Sequence, residues 1–332
     1  VVRNFLVAFL FCFIFQAHSF GQEAIWKAGF YGFFDNREYF NPYAAPQSIL
    51  GSRIFAERGF KIDQYNEFGA GVDYLFEFGS EPNAANIKPI LYYHHLNGSK
   101  ELYMGAFPRR DLIETPNVLL NDTFNYYRPN IEGIYLKFSA PWGYQTAFLD
   151  WTSRQTLEAH ETFIVSTTSR VNKGAFFSTL NFLMYHFAGT AAEGPSKIRD
   201  NGGLTLNIGA DLSKHTFLDS LSVSTGLVGS YDRQRGEYDL RYAIGSKTDI
   251  YLQYNNFGVR SMMYLGQGQD LMVGDKMYLS PIYNRTDLIY NVFSRGKVKG
   301  AIEFSLHFLP SKTDFSQKFT IYLDISGSKK LK

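Results

Sequence analysis

The stretch KVKGAIEFSLHF, Lys297 to Phe308, alternates without a break. Val298, Gly300, Ile302, Phe304, Leu306 and Phe308 fall on one side of an extended chain, and Lys297, Lys299, Ala301, Glu303, Ser305 and His307 on the other. A period of two is that of a β-strand with one apolar and one polar face. The strand alone does not say which face is inside. In a soluble sandwich the apolar face packs into a core; in a membrane barrel it touches lipid and the polar face lines the lumen.

The same alternation recurs along the chain, in FGAGVDYLFEF from Phe68, LTLNIGAD from Leu204, LSVSTGL from Leu221, YDLRYAI from Tyr238 and KFTIYLDI from Lys318. No stretch after the N-terminal segment has helical periodicity. The composition agrees: 31 Phe and 23 Tyr bring the aromatic content to 17%, and these residues favour strands and membrane–water interfaces. A net charge of +2, with both signs in near-equal number, gives no bulk attraction for nucleic acid.

The N-terminus carries a targeting pattern. Arg3 supplies a positive start, FLVAFLFCFIF (Phe5 to Phe15) an apolar run too short to span a bilayer, and AHS (Ala17 to Ser19) a small-x-small cleavage site. The expected organisation is a signal peptide over 1–19 and one domain over 20–332. Cys12, the sole cysteine, would leave with the peptide, which excludes a disulfide framework, a thiolate metal site and a cysteine nucleophile. No later run of 18 apolar residues reads as a transmembrane helix.

Connections separate a barrel from a sandwich. Short turns are read at ERGF (Glu57), Asn97-Gly98, APWG (Ala140), VNKG (Val171), SKHT (Ser213), GSKT (Gly245) and SRGK (Ser294). Between them lie long polar stretches at 35–50, 79–86, 108–129, 152–161, 188–202, 229–236, 266–286 and 310–316. Regular alternation of short and long places every second connection at the same end, as in an up-and-down barrel, whereas Greek-key crossings keep no such order. The expected fold is all-β, a transmembrane antiparallel up-and-down β-barrel of about sixteen strands, within a range of about fourteen to eighteen. That count requires Asp249 to Leu265 to be one long strand with a parity shift near Asn256. Aromatics near strand ends (Trp26, Phe30, Tyr31, Phe33, Phe34, Tyr126, Tyr127, Trp142, Trp151) suggest interfacial girdles.

On these features, with GAIEFSLHF and KFTIYLDI as the clearest two-faced strands, the chain resembles outer-membrane β-barrel proteins of Gram-negative bacteria, and most of all the porin-type barrels of the Bacteroidota. The resemblance is one of pattern over the whole chain after the signal peptide. It implies an outer-membrane location, contact with outer-membrane lipid and a passive, weakly selective channel for small hydrophilic solutes. It departs from many such barrels at its end, where DISGSKKLK follows the last aromatic residue.

Strand parity nominates lumen-facing charges. From the first half of the chain come Asp73, Glu77, Lys137 and Asp150, and from the middle Asp211, Asp239 and Arg241. Asp287, Lys297, Lys299, Glu303, Lys318 and Asp324 complete the set. Its mixed sign points to weak ionic selectivity. Porin-type barrels often fold their third long loop inward as a constriction, which here nominates Arg109, Arg110, Asp111, Glu114, Asp122 and Arg128.

Other chemistry is thinly represented. A lipid hydrolase or acyltransferase would need a hydroxyl beside a histidine, and Ser153 and His160 share one loop, but no nucleophile elbow surrounds them. His94 and His95 point to opposite faces, and with His186 they lack zinc spacing. Asn97, Asn121 and Asn284 head short glycan-acceptor matches taken as chance. No plug domain, phosphate loop or cofactor motif stands out. The competing readings are a barrel for polymer transport or partner binding, an outer-membrane lipid-modifying enzyme, and a soluble periplasmic β-sandwich.

Overall fold

The computed structural model describes residues 23–81, 83–193 and 198–330, so the expected signal peptide over 1–19 lies outside the described residues. Strands β1 (Glu23–Glu38), β2 (Gln47–Lys61), β3 (Asn66–Glu77) and β4 (Ile87–Asn97) open the sheet. They are followed by β5 (Lys100–Pro108), β6 (Asn130–Ala140), β7 (Gly143–Ser153) and β8 (Thr162–Lys173). The second half holds β9 (Phe176–Phe187), β10 (Arg199–Asp211), β11 (Ser220–Gln234) and β12 (Tyr238–Tyr254). The last four are β13 (Phe257–Gly266), β14 (Ile282–Arg295), β15 (Val298–Leu309) and β16 (Lys312–Lys330). Each strand pairs antiparallel with its sequence neighbours, and β1 pairs with β16, so one sheet closes as a sixteen-stranded barrel rather than a sandwich.

The opening stretch resolves as β15. Ile302 and Phe308 remain 45% and 41% exposed on the outside, whereas Ser305 and His307 are 2% and 1% exposed on the inside. The pattern holds around the barrel. Ile54, Leu91, Met104, Phe138, Leu227, Ile244 and Leu288 all present large apolar side chains outward. A continuous apolar belt of this kind suits hydrocarbon, not water.

The connections differ from expectation in instructive places. ERGF lies inside β2, and the turn comes at residues 62–65. GSKT lies inside β12, and Asp249 to Leu265 is a hairpin turning at Asn255-Asn256, where Asn255 adopts a left-handed φ of 51°. The two corrections cancel, so sixteen strands stand. Asn tolerates left-handed geometry at a tight turn, a signal the residue pair carried. Two expected long loops are short, at residues 235–237 and 310–311, because residues 229–234 continue β11 and residues 312–316 already belong to β16. Tyr31, Phe33 and Tyr126 are not girdle residues: all three are buried inside the barrel, where Phe33 and Tyr126 stack at 4.6 Å.

A lysine at the lipid face near mid-strand costs roughly 2–4 kcal/mol. Phe304→Lys is therefore expected to reduce the fraction of heat-modifiable, compact protein on detergent gels, while Phe304→Leu keeps it. Equal yields of compact protein would reverse the assignment of the two faces.

Candidate functional site

The segment between β5 and β6, residues 109–129, enters the barrel. Its sequence explains why. Val118-Leu119-Leu120 is the longest aliphatic run in the connection, and all three side chains are buried, at 6% exposure or less. Burying each stabilises the inward position by about 1.5–3 kcal/mol relative to an exposed loop. A short helix, α1 (Thr123–Tyr127), follows and returns the chain to the wall.

Polar contacts fasten this segment to strands on either side. The Arg109 guanidinium pairs with Asp150 of β7, both fully buried, and its Nε donates to the Arg128 carbonyl at 3.1 Å. Arg53 of β2 pairs with Asp73 of β3 and also donates to the Tyr126 carbonyl. The Tyr126 hydroxyl donates to Asp35 at 3.1 Å, Tyr127 to Glu77 at 2.8 Å, and Tyr144 to Glu114 at 2.6 Å. Lys318 of β16 donates to Asp122 at 3.2 Å. That ammonium holds the Asp122 carboxyl well below the usual carboxylate range. Ionised Asp122 therefore stabilises docking at every pH above the ordinary carboxylate pKa, and the contribution fades only as pH falls through the depressed value.

A second segment, residues 267–281, folds in from the opposite wall and clasps the first. The amide of Asn121 donates to the Val273 carbonyl at 2.8 Å, and that of Asp275 to the Asn117 carbonyl at 2.9 Å. Leu271, Val273, Met277 and Tyr278 are buried against Val118, Leu119 and the inner wall. Both segments lean on β10, where a Cβ at Gly203 would lie 2.8 Å from Leu119 and 3.0 Å from Leu271. The charges in the first loop were visible in the sequence. The apolar residues that fill the lumen, Val118 to Leu120 with Leu271, Val273, Met277 and Tyr278, were missed, although a run of three aliphatic residues in a connection signals burial.

A lane stays open inside along the β15, β16, β1, β2 and β3 wall, and a separate cavity of 200 Å³ lies by Lys247, Asp249, Arg260 and Arg285 on the β12–β14 wall. Three cavities succeed one another from the long-loop end to the short-turn end. The first, 280 Å³, is lined by Asp35, Arg37, Tyr43, Asp122, Lys276 and Arg285 among others. The second, 370 Å³, lies between Tyr31, Arg53, Asp73, Arg110, Tyr126 and Tyr322. The third, 380 Å³, lies between Lys27, Glu57, Tyr92, Tyr103, Arg110 and Asp324. Asp122, Glu303 and Lys318 line both the first and second cavities, so they form the partition between them. Phe55, Pro108, Arg110 and Asp111 do the same between the second and third. Across the second partition Arg110 pairs with Asp324 at 3.2 Å and sits 4.6 Å over the Phe55 ring.

The nominated residues divide accordingly. Asp73, Asp122, Glu303, Lys318, Asp324, Arg109, Arg110 and Asp111 meet along the lane. Asp150 and Asp287 are buried ion-pair partners, Asp287 of Arg285 at 2.6 Å. Glu77 and Glu114 receive tyrosine hydroxyls, the Lys137 ammonium lies 5.5 Å from the centre of the Tyr144 ring, and Lys299 is exposed near the short-turn end. Arg128 contributes its carbonyl. Three others sit at the ends: Asp211 accepts the Ser213 amide at 3.0 Å in a turn, while Asp239 and Arg241 are exposed at the long-loop rim. Lys297 is corrected, since it lies in the Gly296-Lys297 turn and not on a strand.

Residues 27–332 match the family model described as lipid A 3'-O-deacylase-type. The chain belongs to that family. No curated protein sequence matches it. In fold it is similar to porins of low sequence identity. The anion-selective porin from Comamonas acidovorans superposes with a TM-score of 0.56 at 9% identity, over 90% of this chain and 100% of that one. A loop L8 deletion mutant of OmpT from Vibrio cholerae gives 0.57 at 7% identity, over 92% and 100%. OmpF of Salmonella typhi, in a complex with daunomycin, gives 0.52 at 8% identity, over 92% and 98%. The fold is thus that of a porin-type outer-membrane barrel.

The Ser153 and His160 side chains that the sequence paired do not bond to each other, whereas His307 Nε2 lies 3.2 Å from Ser316 Oγ. Ser153 Oγ donates to the backbone carbonyl of His160 at 2.7 Å, while the His160 ring stacks on Phe187 and faces Glu193 at 3.7 Å. His94 sits inside, 3.1 Å from Glu101, and His186 pairs with Asp200 at 2.6 Å on a different strand. Among the described residues no three His, Cys, Asp or Glu side chains converge as a metal-holding group.

Removing one partner of a buried ion pair costs roughly 3–5 kcal/mol, because the other charge is left unpaired. Asp150→Ala is expected to release the 109–129 segment, seen as new protease cleavage there and a lower unfolding temperature. Arg109→Met with Asp150→Leu should recover most of both.

Proposed function

We propose that this protein is an outer-membrane channel for small hydrophilic solutes, in which solutes follow the charged lane beside the two inserted loops and not a wide central lumen. The observation that carries this reading is the succession of three cavities separated by thin partitions, each of which contains an ion pair. The apolar belt and the porin-type fold support the location. Cavities of 280–380 Å³ fit small molecules and not the cross-section of a folded partner. Because both signs of charge line the lane, it discriminates weakly between anions and cations. The segment 109–129 acts as its constriction.

Planar-bilayer recording of the refolded protein tests this. The wild type should give small discrete steps, and deletion of residues 112–120 should raise the unit conductance about threefold or more by opening the filled part of the lumen. Glu303→Lys should move the reversal potential in a salt gradient toward anion preference. Absence of steps from both the wild type and the loop deletion would sink the channel reading.

Family membership favours a second reading, hydrolysis of an acyl ester on lipid A. Mass spectrometry of lipid A incubated with the purified protein would show the loss of one acyl chain if it holds, and unchanged lipid A if it does not.

A further inference from the structure

The lining of the middle cavity is polar in a particular way. It has four basic and four acidic side chains, and each is already in an ion pair. There is no net charge and no spare one. Four rings, those of Tyr31, Phe55, Tyr126 and Tyr322, form much of the remaining wall. Both exits are closed by such pairs, Lys318–Asp122 toward the long loops and Arg110–Asp324 toward the short turns, each at 3.2 Å.

A solute crossing the lane must part each pair in turn. An uncharged solute parts two charges and offers neither a full replacement. An anion satisfies the lysine or arginine but strands the carboxylate in a partly dehydrated site, and a cation does the reverse. A small molecule with both charges gives each side a new charge-assisted partner, so two ion pairs replace one as it passes. The termini of an extended dipeptide are about 7 Å apart, enough to span a parted pair. The rings accommodate its apolar part.

We propose that the lane is selective for small zwitterions of the amino acid and dipeptide class, and that the two partition pairs are its specificity determinants. The proposal rests on the channel reading above.

Entry into proteoliposomes of four size-matched probes separates the possibilities. Glycylglycine is zwitterionic, N-acetylglycine anionic, glycylglycinamide cationic and N-acetylglycinamide uncharged. Glycylglycine should enter about threefold or more faster than each of the others, the scale of one partly hydrated ion pair. Asp122→Asn with Lys318→Gln should raise entry of the other three and narrow the preference, because the Arg110–Asp324 pair still selects. Should that variant fail to assemble, Arg110→Gln with Asp324→Asn serves instead, since Arg110 is 30% and Asp324 50% exposed. Equal entry of all four probes, with ionic conductance intact, overturns the zwitterion preference and leaves the channel standing. No entry of any probe, with no conductance, overturns the channel and the preference together.

Discussion

Everything in this molecule depends on the pairing of its first strand with its last. β1 and β16 run in unbroken register from Glu23 opposite Lys330 to Glu38 opposite Phe315. A backbone donor or acceptor left open toward hydrocarbon costs several kcal/mol, so an open edge along sixteen residues is not tolerable in a membrane. Closure removes it. Once the sheet is closed, parity does the rest: alternate side chains must go to lipid or to the interior, and the polar set is confined to a space of fixed girth.

The confined interior is neither an ordinary core nor an open pipe. One part is filled by apolar side chains from two loops, which pack against Ile164, Leu183 and Val228 of the wall. The other keeps ion pairs and small cavities. These parts depend on each other. The apolar fill lowers the local dielectric around Arg109 and Asp150, which makes their pairing obligatory. The pairing in turn fixes where the loop leaves β5, so that Arg110 and Asp122 stand on the lane and not within the fill.

Much of this was legible in the residues, and the parts that were not had physical reasons. Alternation in Val298–Leu309 and its fellows reported the faces, because lipid and water impose opposite demands on adjacent residues. Turn positions were less readable where a strand contains its own glycine: Gly59 and Gly245 looked like turns but serve close packing beneath Ile25 and Tyr264. Loop length was misread where strands extend past the membrane, since hydrogen bonding continues there without an apolar face to mark it. Inner charges could be named from parity. Their pairing could not, because Lys318 and Asp122 lie 196 residues apart and meet only through closure.

The clasp between the two inserted loops has a consequence for how the barrel is made. The docking surface for residues 109–129 includes Asp35 on the first strand, Arg53 on the second and Lys318 on the last. No partly assembled sheet presents all three together. The loop can therefore settle only after the seam has formed, and the second loop, whose backbone bonds to Asn117 and Asn121, can lock only after the first has settled. Biogenesis thus ends with an internal seal, and a barrel caught between seam closure and loop settlement would be the leakiest species the cell ever holds.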